Sequence, residues 1–303
     1  MSEVSEIRFV EVAPRDGFQN WPDLVSTDVK ERLVRGLFAA GVATVEATSF
    51  VSPGWVPQMA DAEDLMARLG ADLAARVRVL VPNPRGLSRA IAAGARRVIV
   101  VSSATDAFNR RNLNRSIDET VADIVEICDA AKEAGVTVDG SVSVAWGCPF
   151  EGPVRPERAL HVARRLLAAG CSRVSIADTI GVADPGAVMA LARQAVAEFG
   201  AERVAVHFHD TRGLGAANVL AAHAVGVREF EGSLAGIGGC PFAPNATGNV
   251  CSEDILHMLE LMGYRTGADT AKLIELSRWL SDALGQPLPG RLYKAGLEPW
   301  VAA

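Results

Sequence analysis

The stretch Arg203-Val204-Ala205-Val206-His207-Phe208-His209-Asp210 is an apolar, β-branched run that ends in two histidines. An Ala-rich segment of helical period, residues 215–225, follows it, so the two together predict one strand and one helix of a parallel sheet. Because side chains alternate along a strand, His207 and His209 project to the same side, where both imidazoles can reach one metal ion. The simpler interpretation of such an isolated pair is two histidines that are hydrogen-bonded at a strand end.

The same succession of a short strand-like run and a longer helical segment occurs eight times along the chain. Several helical segments end at a glycine just before the next strand, where the chain needs a left-handed turn. Eight such units in 303 residues predict a closed (β/α)₈ barrel, the TIM barrel, with a doubly wound open sheet as the alternative. The predicted strands are residues 7–12, 43–47, 76–81, 97–101, 137–144, 173–177, 203–208 and 229–234. The predicted helices between them are residues 29–40, 60–69, 87–93, 117–134, 156–169, 185–199 and 215–225.

After the eighth predicted strand come a Gly-rich loop, two further helical segments at residues 253–262 and 270–284, and a Pro-rich tail. No linker marks a second domain, so residues 1–303 are predicted to form a single barrel domain. Residues 265–303 are expected to be a C-terminal helical extension that packs on the barrel or takes part in oligomer contacts.

The composition argues against several classes of protein. A content of 49% hydrophobic and 22% charged residues is typical of a globular protein with a large core. The net charge of −6 and the pI near 5.5 give no general attraction to nucleic acid or to an anionic membrane. No apolar stretch is long enough to span a bilayer, and the acidic N-terminus has no signal-peptide pattern. Five cysteines without Cys-x-x-Cys spacing predict reduced thiols, and we therefore expect a cytoplasmic protein.

Polar residues follow several of the predicted strands, and in a barrel the carboxyl ends of all strands open at one mouth. Asp16 follows the first strand, Glu46 ends the second, and His207 and His209 end the seventh. Asp16 with the two imidazoles is an oxygen and nitrogen set that suits Mg²⁺, Mn²⁺ or another divalent ion. Taken singly, Asp16 has a simpler interpretation as a turn cap, and Glu46 as a buried carboxylate paired with an arginine. Their predicted convergence at one mouth favours the metal site.

Three further rim residues have side chains suited to catalysis. Arg15 could stabilise the negative charge of an enolate oxygen, and its simpler role is an ion pair with Glu46 or Asp178. Asp178 itself follows the sixth strand. Cys240 lies in a Gly-Gly-Cys-Pro loop after the eighth strand, where it could be an acid, a base or a nucleophile. The alternative for Cys240 is a small buried hydrophobe.

Ordered motifs between residue 7 and about residue 267 resemble the 3-hydroxy-3-methylglutaryl-CoA lyase family. They run through most of the chain in the family's order, which makes chance agreement a poor explanation. The motifs are FVEVAPRDGFQN at residues 9–20, VEATSFVSP at 45–53, WVPQM at 55–59, GCPFEG at 147–152, DTIGV at 178–182, HFHDT at 207–211, GIGGCPFA at 236–243 and TGN at 247–249.

This resemblance implies a metal-dependent lyase on a TIM barrel that splits a 3-hydroxy-3-methylglutaryl thioester into acetyl-CoA and acetoacetate. It also implies a bound Mg²⁺ or Mn²⁺, an acyl-CoA substrate and a homodimer. Asn249 would not be chosen as a ligand from its spacing alone, since its simpler role is a turn or a helix cap. The metal ligands that the resemblance implies are Asp16, His207, His209 and Asn249. The catalytic residues that it implies are Arg15 as the enolate stabiliser, Cys240 in proton transfer, and Glu46 and Asp178 as acidic residues of the active centre.

The expected chemistry needs a proton acceptor and a place for coenzyme A. Cleavage of a C–C bond beside a tertiary alcohol requires removal of the hydroxyl proton while the electrons move onto the thioester as an enolate. His207 and Asp178 are the candidates for this proton transfer, and the sequence leaves the base open. Just after the fourth strand, Arg110, Arg111 and Asn112 are candidates for binding the nucleotide phosphates. The alternative for this segment is a solvated basic loop.

Several positions near the rim differ from the best-known members of the resembled family. Trp21-Pro22-Asp23 replaces a segment with an acidic residue and a lysine, Arg212 stands where tyrosine is common, and Phe18 and Trp146 are bulkier than the usual leucine. Because of these differences, the sequence does not decide which acyl group the substrate carries. A lyase for a related 3-hydroxyacyl-CoA is therefore the first alternative. A condensing synthase of the isopropylmalate or homocitrate type is less favoured because Gly-Cys-Pro replaces its Gly-Glu-Arg-type loop. A binding scaffold without catalysis has no need of the full set of site residues.

Overall fold

A closed barrel of parallel strands forms the centre of the molecule. The computed structural model describes residues 6–239 and 248–297. The strands in these ranges are β1 (Arg8–Glu11), β2 (Thr44–Ser49), β3 (Arg78–Leu80), β4 (Arg97–Ser103), β5 (Thr137–Ser143), β6 (Gly147–Cys148), β7 (Gly152–Pro153), β8 (Val174–Asp178), β9 (Val204–Phe208) and β10 (Glu229–Gly232). Eight of them pair in the order β1-β10-β9-β8-β5-β4-β3-β2 and close on themselves, which confirms the predicted (β/α)₈ barrel.

Helices surround the barrel and connect its strands. The helices in the described ranges are α1 (Thr27–Ala39), α2 (Ala62–Ala74), α3 (Pro84–Ala92), α4 (Asp106–Leu113), α5 (Ile117–Glu133), α6 (Pro156–Ala168), α7 (Pro185–Phe199), α8 (Gly215–Ala224), α9 (Ser252–Leu261), α10 (Thr270–Leu284) and α11 (Leu292–Ala295). Polar caps fix several starts: Ser116 and Glu119 form a capping box on α5, and Asp184 accepts two amides at the start of α7. None of these described helices combines the length and the apolarity needed to cross a membrane.

Some local elements differ from the predicted ones. Residues 106–113 form a helix, α4, that is not among the predicted helices; Thr105 caps its first turn and Asn114 ends it in a left-handed conformation. The eighth barrel strand ends at Gly232, since residues 234–236 form a short 3₁₀ turn. β6 and β7 form an antiparallel hairpin that the sequence patterns do not predict.

The C-terminal helices pack on the outside of the barrel. The N–H group of Asp269, at the start of α10, donates to the carbonyl of Ala40 at 2.7 Å. A Cβ added to Gly36 of α1 would lie 2.6 Å from Cδ1 of Leu276 in α10. The absence of a side chain at Gly36 therefore lets these two helices approach closely.

The inside of the barrel is charged as well as apolar. Because side chains alternate along each strand, one set packs against the helices and the other fills the barrel. Near the amino ends of the strands, Arg97 donates to Asp139 at 2.8 Å and Arg8 donates to Glu229 at 2.7 Å. Buried charges of this kind need such partners. The buried acidic residues and arginines of the barrel strands are Glu11, Glu46, Arg78, Asp139, Asp178, Glu229 and Glu231.

Candidate functional site

A cavity of about 210 Å³ opens at the carboxyl ends of the barrel strands. On the side of β3 and β4, Leu80, Ile99 and Val101 give it an apolar wall. Polar side chains from the turn after β1, from the end of β9 and from β10 line the opposite part. The members of the predicted site that line the cavity are Arg15, Asp16, Asn112, His207 and His209.

A single turn of π-helix places Arg15 and Asp16 at the mouth of the barrel. It spans Ala13–Gly17 and follows β1 directly. The N–H groups of Arg15, Asp16 and Gly17 all donate to the carbonyl of Val12, at 2.7 to 3.2 Å. This tight turn directs a guanidinium and the adjacent carboxylate into one cavity, which the alternation of a regular strand does not allow. Short π-helical turns are frequent at functional sites.

Asp16, His207 and His209 converge at the mouth. The Nε2 atoms of His207 and His209 each lie 3.9 Å from Oδ2 of Asp16. One potential ligand atom from each of the three residues lies within 4.8 Å of the others. Donors at these separations can share one cation through bonds of about 2.0–2.2 Å. The two histidines therefore face one side of β9, as their spacing predicts.

Asn249 joins the group through a backbone pairing. Residues 248–250 run beside the end of β9, where Asn249 forms a β-bridge with His209. Its Nδ2 atom donates to Oδ2 of Asp16 at 2.9 Å. Its Oδ1 atom is buried and has no hydrogen-bond partner among the residues that the structure describes. Because a buried polar atom without a partner costs free energy, an unpartnered amide oxygen beside three ligand-type groups fits a site built for a cation.

The charge states of Asp16 and His209 suit metal binding. Burial, followed by the charge of His207, lowers the pKa of His209 to about 4. Burial opposes ionisation of Asp16, but Arg15 and the two histidines hold the pKa of its carboxyl well below its usual range. Burial also lowers the pKa of His207, yet the hydrogen bond with Glu231 and the charge of Asp16 raise it above its ordinary value. At neutral pH the site thus presents a carboxylate and a neutral imidazole, the forms that coordinate metals.

Arg15 is held between two carboxylates at the cavity wall. Its Nε atom donates to Glu46, and its Nη1 atom donates to Asp16 at 2.5 Å. Within the described part of the chain no hydrogen bond engages Nη2, so this nitrogen is available to an anionic oxygen of a substrate. Glu46 is fully buried, and it reaches the cavity only through Arg15. An ion pair with Glu46 was one of the simpler roles considered for Arg15. This ion pair is present, and it also orients the guanidinium of Arg15.

A second carboxylate, missed in the sequence, orients His207. Oε2 of Glu231 on β10 lies 3.2 Å from Nδ1 of His207, which leaves Nε2 to face Asp16. A carboxylate behind a ligand histidine fixes its tautomer and its ring orientation. Burial opposes ionisation of Glu231, but Arg78 and the hydrogen bond with His207 lower the pKa of its carboxyl to about 2. The sequence contained one signal for this role of Glu231, namely an acidic residue inside the strand-like run 229–234.

The structure does not bring Asp178 into the cavity. Ala177 and Thr179 line the cavity, and because side chains alternate along β8, Asp178 points the other way. Its carboxylate accepts the N–H groups of Val182 and Ala183, both at 3.0 Å. Burial raises the pKa of this carboxyl. Asp178 thus holds the loop after β8, and a direct catalytic role for it stays a prediction.

The proposed coenzyme A residues lie on α4 beside the cavity. Asn112 lines the cavity. Arg110 is exposed and pairs with Asp106 at 2.7 Å. The guanidinium of Arg111 lies 4.4 Å from the ring centroid of Phe150. All three side chains lie at the surface, within reach of a ligand that enters the mouth, and their role stays a prediction.

Glu11 is a further buried carboxylate that sequence reasoning missed, and it anchors the chain that leads to Cys240. Cys240 itself lies outside the described residues. Oε1 of Glu11 accepts the N–H groups of Ala13 and Leu234, both at 2.8 Å, and Oε2 accepts the hydroxyl of Ser252. Glu11 therefore ties the turn that carries Asp16 to the loop after β10. An acidic residue inside the apolar run of the first strand was the signal for it.

Glu11→Gln is expected to change the pH dependence of stability. Burial raises the pKa of Glu11 from 4.5 to about 8, so the folded state favours the neutral carboxyl. The stability that this neutral form contributes is complete below pH 4.5 and is lost as the pH rises through 8. Gln keeps one oxygen for the two amides and donates its N–H₂ group to the hydroxyl oxygen of Ser252, where the neutral acid donates its O–H. We expect the variant to gain free energy of unfolding relative to the parent by up to about 1.4 kcal/mol per pH unit across this window.

Denaturant titrations at several pH values between 5 and 9 measure this difference. Parallel stability curves for the parent and the variant would show that Glu11 ionises normally in the folded protein.

The fold and the site define a barrel enzyme whose mouth carries a carboxylate and two imidazoles at separations that one cation can bridge, beside an arginine. A family model described as HMGL-like matches residues 6–280. The chain belongs to the HMGL-like family.

Named relatives agree with this assignment. The mitochondrial hydroxymethylglutaryl-CoA lyase of Arabidopsis thaliana is 43% identical over 281 residues, which are 93% of this chain and 60% of the plant protein. The cytoplasmic 3-hydroxy-3-methylglutaryl-CoA lyase of Danio rerio is 42% identical over 289 residues, which are 95% of this chain and 86% of the fish protein. A solved HMG-CoA lyase from Acinetobacter baumannii, in complex with coenzyme A and 3-methylmalate, superimposes with a TM-score of 0.92. It is 37% identical, and 97% of each chain is covered.

Proposed function

We propose that this protein is a divalent-metal-dependent lyase that cleaves 3-hydroxy-3-methylglutaryl-CoA into acetyl-CoA and acetoacetate. The observation that carries the proposal is the convergence of Asp16, His207 and His209 at the cavity that Arg15 also lines. The relatives named for this reaction support the choice of substrate. Mg²⁺ or Mn²⁺ is the proposed cation, because the donor set contains oxygen and imidazole nitrogen but no thiolate among the described residues.

The reaction breaks the bond between C2 and C3 of the acyl group. The C3 hydroxyl loses its proton, its oxygen becomes the ketone of acetoacetate, and the bonding electrons pass to the thioester as an enolate. When bound, a divalent cation supplies Lewis acidity that lowers the pKa of an alcohol. Asp16, His207, His209 and the Oδ1 atom of Asn249 would hold it.

The side chains of this protein divide the remaining work. Arg15 presents positive charge to the enolate oxygen, held in place by Glu46 and Asp16. Neither candidate for the hydroxyl proton is assigned as the base: Nδ1 of His207 faces Glu231 and its Nε2 is proposed to hold the cation, and Asp178 lies outside the cavity. Cys240 is proposed to protonate the enolate carbon, on the basis of the family resemblance alone.

Coenzyme A is proposed to cross the rim beside α4. The Acinetobacter protein was solved with coenzyme A, and in the present chain Arg110 and Arg111 bring two exposed cations to the rim where Asn112 lines the cavity. Arginines of this kind bind phosphate groups through paired hydrogen bonds. The phosphates of the nucleotide are their proposed ligands.

An assay with a panel of 3-hydroxyacyl-CoA thioesters and Mg²⁺ tests the function. We expect acetyl-CoA and acetoacetate, identified by mass spectrometry, from the 3-hydroxy-3-methylglutaryl thioester. The thioester of the same acyl group with N-acetylcysteamine lacks the nucleotide. We expect a higher KM for this compound than for the coenzyme A thioester. Faster cleavage of a thioester with another group at C3 would replace the proposed substrate with that compound, and condensation without cleavage would favour a synthase.

The compartment and the assembly remain parts of this proposal. The plant relative is named mitochondrial and the fish relative cytoplasmic. The four cysteines in the described ranges are free thiols, which suits the proposed reducing cytoplasm. A homodimer is proposed from the resemblance, and light scattering of the purified protein measures it.

A further inference from the structure

One buried guanidinium connects the two halves of the proposed active site. Nε of Arg78 donates to Oε2 of Glu46 at 2.7 Å, and Nη2 donates to Oε1 of Glu231 at 2.8 Å. The other oxygen of Glu46 accepts Nε of Arg15. The other oxygen of Glu231 lies 3.2 Å from Nδ1 of His207. Each carboxylate therefore has one oxygen on Arg78 and the other on a residue that lines the cavity.

The barrel topology explains why a single side chain can do this. Arg78 pairs in register with Glu46 on the neighbouring strand, and Glu231 pairs in register with His207. In the closed order of the strands, β3 and β10 are separated by β2 and β1. The side chain of Arg78 therefore crosses the interior of the barrel, one level below the cavity, to reach Glu231.

The three central residues are nearly or fully buried, and of these three only Glu231 lines the cavity. The side chains of Arg78, Glu46 and Glu231 are 1%, 0% and 5% exposed. Arg78 does not line the cavity, so it touches no substrate directly. A buried ion network is weak evidence for added stability, because well-packed apolar residues often serve a barrel interior as well. The informative feature of this network is that its two ends contact Arg15 and His207, which line the cavity.

We infer that Arg78 is a positioning residue that holds Glu46 and Glu231 at the same time and thereby sets the orientation of both Arg15 and His207. The inference rests on the proposed function for the role of Arg15, but its consequence at His207 concerns metal binding alone. The planar fork of arginine can bond two carboxylates from fixed directions, whereas the ammonium of lysine is a single point charge. Arg78→Lys is therefore expected to keep the fold and to restore the site only in part.

Arg97 offers a matched control for this position. It pairs in register with Arg78 on the adjacent strand, and it donates to a different buried carboxylate, Asp139, at 2.8 Å. Asp139 approaches Arg78 only at 4.0 Å, and the hydrogen bonds of Arg97 do not involve Glu46 or Glu231. Arg97→Met thus removes a barrel ion pair without breaking the connection to the cavity.

The test compares Arg78→Met, Arg78→Lys and Arg97→Met for Mn²⁺ affinity in the absence of substrate, by calorimetry or electron paramagnetic resonance. We expect Arg78→Met to weaken Mn²⁺ binding by about 10- to 100-fold, the usual effect of losing a group behind a metal ligand. Arg78→Lys is expected to lie in between, and Arg97→Met to bind like the parent. Equal Mn²⁺ affinity in Arg78→Met, Arg97→Met and the parent would overturn the inference at His207.

A kinetic cycle tests the other end of the network. If Arg78 acts through Arg15, the loss of kcat caused by Arg78→Met is expected to be smaller in the Arg15→Gln background than in the parent protein. Losses that multiply independently would overturn the inference at Arg15. A parent protein that cleaves no thioester would remove the proposed function, while the Mn²⁺ measurements would still decide the inference at His207.

A second variant guards against loss of folding. Should Arg78→Met fail to fold by circular dichroism, Glu231→Gln keeps the side-chain shape and removes the charge between Arg78 and His207. We expect the same loss of Mn²⁺ affinity from Glu231→Gln, and unchanged affinity would overturn the inference.

Discussion

Removal of divalent metal is expected to abolish turnover, with a fall in kcat of about a thousandfold or more, because a bound cation supplies several kcal/mol of charge stabilisation to such a reaction. The structure gives the physical reason for the size of the effect. Asp16, His207 and His209 place three donor atoms within 4.8 Å of one another, and the Oδ1 atom of Asn249 is buried beside them without a partner. Treatment with EDTA followed by Mn²⁺ addition measures the loss and its recovery.

Substitution of one ligand separates the metal site from general effects of the chelator. His209→Ala is expected to lose Mn²⁺ binding and turnover together. His161→Ala, on the exposed face of α6, is the matched control and is expected to keep both. Full activity in a sample shown by elemental analysis to be free of divalent metal would contradict a role for the cation.

Arg15→Gln is expected to reduce kcat by about 100- to 1,000-fold with little change in KM, the usual cost of removing a preorganised donor from a developing oxyanion. The expected fold-change follows from the position of Arg15 at the cavity wall, with Nη2 not engaged by the described residues. Glu46 keeps its bond to Arg78 in the variant, so no buried carboxylate is left without a cation. We therefore expect Arg15→Gln to fold.

The control for this prediction is an arginine of similar chemistry outside the site. Arg164 of α6 bonds to Glu198 at the surface, so Arg164→Gln is expected to retain parental kinetics. A change confined to KM in Arg15→Gln would assign Arg15 to substrate binding rather than to stabilisation of the enolate.

Local patterns in the sequence were sufficient for the barrel and for part of the site. Strands and helices were predictable because hydrophobic period, helix caps and terminal glycines are properties of neighbouring residues. The shared direction of His207 and His209 follows from the same local rule of alternation. Their convergence with Asp16 required only the general property that all strand ends of a barrel open at one mouth.

Contacts between distant residues were decided by the tertiary structure. Asn249 reaches Asp16 because its segment pairs with the end of β9, and no spacing in the sequence specifies that pairing. In the sequence Asp178 follows the predicted sixth strand, but in the structure it is the last residue of β8, and its carboxylate accepts N–H groups of the following loop. The register between strands decides such outcomes, and register depends on the packing of the whole barrel.

The sequence by itself therefore determined the barrel, the pair of histidines and the acidic and basic residues of the rim, because each of these follows from short-range periodicity or from a local motif. Only the tertiary structure decided that Arg78 lies between Glu46 and Glu231, and that Glu11 ties two loops together. A buried charge is stable only where partners from other strands surround it, and those partners are brought together by closure of the barrel.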